Sequence, residues 1–148
     1  VGMFGKYYRQ IDDKNRVVVP PKLLQELGKE FYITIGIDKN LVLRTVSEFQ
    51  KMKTKLEEGN TLNKNVRDFI RYIFGNTEVV SPDKNNRIMI PKHLLNKAAI
   101  DKEVVFLGTG DTCELFAKEV YDEQESYYEN DDNVNDLAQK LFEAGVKF

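Results

Sequence analysis

The chain has 148 residues, 41% of them apolar and 31% charged, with a formal net charge of −2. That length holds one ordinary domain or two small half-domains, and the composition is that of a folded globular chain, neither disordered nor membrane-embedded. No apolar run approaches the roughly 18 residues of a spanning helix, no basic-then-apolar leader opens the chain, and the lone Cys113 leaves no internal disulfide and no cysteine-based zinc site.

Met3 reads as the natural start, with Val1-Gly2 an added pair. Residues 6–11 alternate as a strand does and lead into the polar loop Asp12-Asp13-Lys14-Asn15-Arg16. Val17-Val18-Val19 is a β-branched strand. Pro20-Pro21 ends it, because proline cannot continue a ladder but suits the first turn of a helix. Residues 22–27 then form a short helix stopped by Gly28. Residues 31–35 and 41–43 pair as a hairpin. Ser47 and Gln50 have capping-box spacing for a helix with Phe49, Met52 and Leu56 on one face, ending at Gly59. Val66, Phe69, Ile70, Ile73 and Phe74 fall at helical spacing up to Gly75, and the stripe Phe69-Tyr72-Ile73-Phe74 reads as core. In the second half, residues 88–90 are a strand, 92–99 a helix, and 104–107 with 114–116 a hairpin around Gly108-Thr109-Gly110-Asp111. Val134, Leu137, Ala138, Leu141 and Phe142 restore the helical spacing near the end.

The order of elements repeats because the sequence does. Asp12-Asp13-Lys14-Asn15-Arg16-Val17-Val18-Val19-Pro20 returns as Asp83-Lys84-Asn85-Asn86-Arg87-Ile88-Met89-Ile90-Pro91, and Leu23 and Leu24 fall on Leu94 and Leu95. Core packing requires the apolar residues to be copied. It does not require an exposed Asp and Arg to be copied, and a surface ion pair worth about 0–1 kcal/mol gives no reason for it. Arg16 and Arg87 are therefore the candidate functional residues, beside Lys14, Lys84 and Arg9. Asp12, Asp83, Asn15 and Asn86 order the loops: Asp accepts hydrogen bonds from nearby amides and can restrain the Arg, and Asn tolerates the left-handed region.

Neither half can bury enough apolar surface alone. A pseudo-two-fold pairing solves this and makes Arg16 and Arg87 equivalent, although spacing does not say whether they share a surface. Charge is uneven as well. Residues 1–117 hold 19 Lys/Arg against 15 Asp/Glu, and residues 118–148 hold 3 against 9. The body is mildly basic and the last segment reads as a solvated acidic helical face.

The Met3-Phe4-Gly5 start, both Asp-x-x-x-Arg loops running into Arg-apolar-x-apolar-Pro, the Leu-Gly pair and a closing Asp-Leu-Ala-x-x-Leu at Asp136 to Leu141 resemble the MraZ family. These are bacterial proteins associated with the division and cell wall gene cluster. The resemblance implies a β-rich α+β fold of two tandem swapped-hairpin, SpoVT-AbrB-like halves in one pseudo-two-fold barrel with flanking helices. The expected boundaries are 6–50 for the first half, 51–76 for connecting helices, 77–121 for the second half and 122–148 for the acidic helical segment. It further implies a transcriptional regulator that forms closed homo-oligomeric rings and reads short direct repeats in DNA upstream of its own cluster. The Arg of the motif, Arg16 and in the second copy Arg87, is the residue implicated in DNA contact. The chain departs from the family pattern just before each Arg, where Gly is usual and Asn15 and Asn86 stand here.

Arginine suits that role because its planar fork can grip guanine bidentately, while neighbouring lysines position the protein on phosphates. The expected setting is cytoplasmic and nucleoid-associated, with no membrane, cofactor, metal or small-molecule substrate. Two other classes compete. An enzyme would use Asp12, Asp13 and Asp83, but each lies beside Lys or Arg and no third carboxylate completes a metal site; His93 reads as a helix-surface residue. An antitoxin-like or scaffold module would use the acidic stretch from Glu119 to Asp136 to bind a basic partner.

Overall fold

Short β-branched and aromatic runs become strands, and proline, glycine and capping residues end them. In the computed structural model, which describes residues 2–147, the first half contributes β1 (Lys6–Gln10), β2 (Arg16–Val18), α1 (Pro21–Leu27), β3 (Phe31–Ile35), β4 (Leu41–Thr45), α2 (Val46–Glu57) and α3 (Lys64–Gly75). The second contributes β5 (Thr77–Val80), β6 (Arg87–Met89), α4 (Lys92–Lys97), β7 (Glu103–Gly108), β8 (Thr112–Ala117), α5 (Lys118–Tyr128) and α6 (Asp131–Glu143). Val1, half of the pair read as added, lies outside the described residues. The chain divides into two compact units between Lys118 and Glu119.

The caps explain most boundaries. Gly28 closes α1 at φ +88°, its N–H donating to the Leu24 carbonyl at 2.9 Å. Helix α2 starts earlier than its Ser47 spacing predicts. Strand β4 runs to Thr45, whose Oγ1 accepts the Glu48 N–H at 3.0 Å, so the chain turns directly from strand into helix.

All strand pairs are antiparallel, in a six-stranded sheet of order β1-β7-β8-β4-β3-β5 and a separate two-stranded ribbon of β2 and β6. Each repeat gives its first strand to the other's hairpin, β1 to β7 and β5 to β3, and β4 joins the hairpins to each other through β8. Replacing every strand by its repeat counterpart returns the same order reversed. The pairing is thus an open sheet plus a ribbon rather than one closed barrel, because three-residue β2 and β6 bond to each other and leave β1 and β5 as edges.

Register lines up the core. Ile33, Leu43 and Cys113 stand in one row across the sheet, and Leu41, Leu115 and Phe106 in the next, all completely buried. Val17 and Ile88 of the ribbon and Val19 and Ile90 just after its strands join them, as do Leu23 and Leu27 of α1 and Leu94 and Leu95 of α4. Helix α1 packs against β4 and α4 against β3. Each such side chain contributes about 1.5–3 kcal/mol by burial. On the other face α2 packs through Phe49, stacked on Tyr32 with centroids 3.9 Å apart.

The aromatic stripe of α3 is core only in part. Ile73 is buried and Phe74 lies 6.3 Å from the Phe49 ring, while Phe69 and Tyr72 are 43% and 41% exposed. The apolar arc is wider than the surface α3 meets in this chain. In the unit after Lys118, Asn130 caps α6 through the Asp132 N–H, and Val134, Leu137, Leu141 and Phe142 are exposed.

A polar group also sits within the first unit. Arg44 donates to the Thr34 hydroxyl at 2.7 Å, and the Asn40 amide donates to the Glu114 carboxylate. Burial pushes the Glu114 carboxyl up and the Arg44 guanidinium down from their ordinary values. No buried side-chain nitrogen or oxygen lacks a hydrogen-bond partner among the described residues.

The N-terminal segment is tied down by the second hairpin. Met3, 2% exposed, exchanges backbone hydrogen bonds with Gly110 at 2.7 and 2.8 Å, and the Gly108 N–H donates to the Gly5 carbonyl. A Cβ on Gly108 would stand 2.3 Å from the Phe4 nitrogen and 2.5 Å from the Met3 carbonyl carbon. Gly108→Ala should therefore cost about 1–3 kcal/mol through overpacking, read as a lower urea midpoint. Gly75→Ala, at the end of α3 with nothing within 4 Å of its Cβ, should hold or slightly raise the midpoint.

Candidate functional site

The two Asp-x-x-x-Arg loops fold identically, and one carboxylate organises each. Oδ1 of Asp12 accepts the backbone N–H groups of Lys14 at 2.9 Å and Arg16 at 2.8 Å, while Oδ2 accepts Arg16 Nε at 2.9 Å. Asp83 does the same for Asn85 at 2.8 Å, Arg87 N–H at 3.0 Å and Arg87 Nε at 3.0 Å. Asp12 and Asp83 also return their own N–H to the carbonyls of Arg16 and Arg87 at 2.9 Å. The backbone N–H of Arg16 and of Arg87 is the largest cause holding the respective carboxyl below its usual range, with the guanidinium adding to it.

Tight closure needs a left-handed residue before each Arg, and both asparagines supply it: Asn15 and Asn86 each stand at φ +61°. Asparagine tolerates this region, so the turn closes without a glycine at either position. The asparagine carbonyls then cross to the other half, Asn15 accepting from the Ile90 N–H and Asn86 from the Val19 N–H, each at 2.9 Å. Each loop is held by the opposite repeat.

Register decides what spacing leaves open. Arg16 is opposite Met89, Val17 opposite Ile88 and Val18 opposite Arg87. Directly opposed side chains share a face and successive ones alternate. Val17 and Ile88, each 1% exposed, point into the core. Arg16, Val18, Arg87 and Met89 therefore share the outward face. Hydrogen bonding at the flanking pairs makes the Arg16–Met89 and Val18–Arg87 pairs the narrow type, with Cα atoms about 4.5 Å apart. Two residues along a strand is about 6.7 Å, so the arginines occupy diagonal corners about 8 Å apart.

Both arginines are half-buried, each with Nε bonded to its Asp. Among the described residues their terminal nitrogens have no hydrogen-bond partner. A guanidinium held at Nε and unpartnered at both terminal nitrogens is a fixed two-donor fork. Lys14 and Lys84 are exposed at the loop tips but are not counterparts: Asp13 stands where the second loop has Lys84, and Asn85 where the first has Lys14. Arg9 lies in β1 opposite Val104, with its guanidinium donating to the Tyr8 carbonyl at 2.9 Å. In sequence Val18 and Met89 are strand residues and nothing more; their place between the arginines follows from register alone.

The residues weighed for catalysis are engaged elsewhere or isolated. Asp12 and Asp83 serve their arginines, and His93 is exposed on α4. Cys113 is fully buried, and burial pushes its thiol up to about 12. No group of three or more His, Cys, Asp or Glu side chains that could hold a metal ion occurs among the described residues. No helix among them is long and apolar enough to cross a membrane.

Comparison with known proteins covers nearly the whole chain. The family described as "MraZ protein, putative antitoxin-like" matches it twice, over residues 3–72 and 73–143. The chain is similar to a protein of Mycoplasma mobile named transcriptional regulator MraZ, with 43% identity over 97% of this chain and 99% of that one. Proteins of the same name from Mycoplasmopsis pulmonis and Clostridium acetobutylicum are 40% and 34% identical, over 100% and 96% of this chain and 100% and 98% of theirs.

Because the folded carboxyls of Asp12 and Asp83 lie below the ordinary 3.8, their contribution to stability is complete above that value. It is lost as pH falls through the folded values. A carboxyl-carbon NMR titration should give both residues midpoints below 3.8, with the amide signals of Arg16 and Arg87 shifting in step. Midpoints at or above 3.8 would contradict the bonded loops.

Proposed function

Because the chain belongs to the MraZ family, we propose that it is a transcriptional regulator that reads double-stranded DNA through the outward face of the β2–β6 ribbon. The observation that carries this is the pair of arginines on one face, each locked by an aspartate and presenting a free fork. A two-stranded ribbon fits the major groove, and a bidentate fork on guanine discriminates by about 1–3 kcal/mol. Each arginine's charge is largely balanced by its own carboxylate, so hydrogen-bond geometry is its main offering. Lys14 and Lys84 carry free charge and serve as phosphate contacts, as does Arg9 at the edge of the sheet. Asp12, Asp83, Asn15 and Asn86 order the loops.

In this reading residues 6–50 and 77–121 are SpoVT-AbrB-like halves related by a pseudo-two-fold axis, joined by helices at 51–76 and followed by the acidic segment 122–148. The strand order that reverses on exchange of repeats supports it. The targets are short repeats upstream of the protein's own gene in the division and cell wall cluster, reached in the cytoplasm at the nucleoid. Two arginines read too few bases for high specificity, and a ring of subunits multiplies them by effective concentration. The exposed apolar residues of α3 and α6 support such self-association. The family's antitoxin-like description favours one other reading, in which the acidic segment binds a basic protein.

Mobility shifts with DNA from upstream of the gene should separate the roles. Arg16→Ala should erase discrimination between that DNA and random DNA in a folded protein, and Arg87→Ala should weaken it. Lys14→Ala should lower affinity for every sequence alike and flatten the salt dependence by about 0.9 in log–log slope for each phosphate it no longer neutralises. Unchanged binding in all three variants would remove the ribbon from the DNA interface and leave the protein-binding reading standing.

Light scattering at micromolar concentration should return a multiple of the 17.2 kDa chain mass. A monomer would contradict the ring.

A further inference from the structure

We propose that Val18 and Met89 are specificity-determining residues that contact the C5-methyl groups of thymines lying between the bases gripped by Arg16 and Arg87. The inference rests on the DNA reading above and assigns chemistry to the part of that face the arginines do not occupy.

Within β2 and β6 the inward residues Val17 and Ile88 are each 1% exposed, whereas Val18 is 40% and Met89 65% exposed on the outward face. Strand propensity accounts for a β-branched residue at position 18, but an unbranched Met with most of its surface in water gains nothing from it. The two apolar side chains stand on the opposite diagonal to the arginines, each directly across a narrow pair from one of them. Any surface that accepts both guanidiniums must meet Val18 and Met89.

The occupant follows from charge and chemistry. The apolar pair is enclosed by Arg16 and Arg87, with Lys14 and Lys84 at the loop tips, so the complementary surface is anionic around an apolar centre. In the major groove the thymine methyl is the apolar group a base pair displays beside the acceptors that arginine reads. With Cα atoms about 8 Å apart, the two arginines stand over two to three base steps of about 3.4 Å, leaving room for thymine between them.

The ribbon is also not a true dyad. Val18 and Met89 are repeat counterparts of different length, and the loop tips differ as Asp13 against Lys84. The longer, flexible Met89 reaches further and fills irregular space. The two diagonals thus read unlike bases, and each subunit has a preferred direction on the DNA.

The test uses the tightest duplex that the wild-type protein recovers from a random-sequence library. Each thymine in the protected segment is replaced in turn by deoxyuridine, which removes the methyl and leaves every hydrogen-bonding group in place. At one or two thymines affinity should fall about fourfold, the factor for removing a methylene-sized apolar group from a buried interface. That sensitivity should vanish at one thymine in Met89→Ala and at the other, where there are two, in Val18→Ala, and persist in Met89→Leu. In parallel, guanines are replaced by deazaguanine, which lacks the N7 acceptor, to report the arginine contacts. A flat deoxyuridine scan with deazaguanine sensitivity intact overturns this proposal and leaves the DNA reading standing. Methyl sensitivity unchanged in both alanine variants overturns it as well. A wild-type protein that recovers no duplex overturns both.

Discussion

The fold depends on backbone hydrogen bonds that cross from one repeat to the other. A hairpin of β3 and β4 alone, or of β7 and β8, is too small to persist in water. Each is completed by a strand from the other repeat, and the two meet through β4 and β8. The three-residue strands β2 and β6 are the extreme case. Neither has another strand partner among the described residues, and their ladder is extended at both ends by the Asn15 and Asn86 carbonyls accepting from Ile90 and Val19. The ribbon exists only because both halves are present, and so does any function that resides on it.

From that constraint follows the economy of the loops. A free arginine on a surface loop samples many rotamers and loses about 2 kcal/mol of side-chain entropy when fixed. Here a single aspartate bonds two backbone amides and the guanidinium Nε, so loop closure and side-chain placement are one event. The same bonds that shape the backbone leave the terminal nitrogens facing outward. Since the carboxylate also offsets much of the arginine charge, the free positive charge of the loops sits on the exposed Lys14 and Lys84. Direction and charge are thus carried by different residues.

Surface left over from the fold divides by chemistry. The ribbon face mixes fixed donors with two apolar side chains. Helices α3 and α6 expose wider apolar stripes, at Phe69 and Tyr72 and at Val134, Leu137, Leu141 and Phe142. Stripes of this kind are unfavourable in an isolated chain and fit a role in assembly. The basic excess of residues 1–117 against the acidic excess of 118–148 keeps the net charge near neutral while leaving the ribbon-bearing unit cationic.

Much of this was legible in the residues. The copied Asp-x-x-x-Arg loops announced both the duplication and the candidate site, and β-branched runs, prolines and glycines located most strands and short helices, because those signals act within a few residues. The departures lie where a distant partner decides. Strand β4 ran on to Thr45 and moved the cap of α2 from Ser47; Phe69 and Tyr72 of the expected core stripe stayed exposed. That Arg16 and Arg87 share one face, with Val18 and Met89 between them, was fixed by the register of β2 on β6. Periodicity is a property of neighbours along the chain, so sequence alone named the arginines. Register is a property of hydrogen bonds between residues far apart in it, so only the tertiary structure could bring them together.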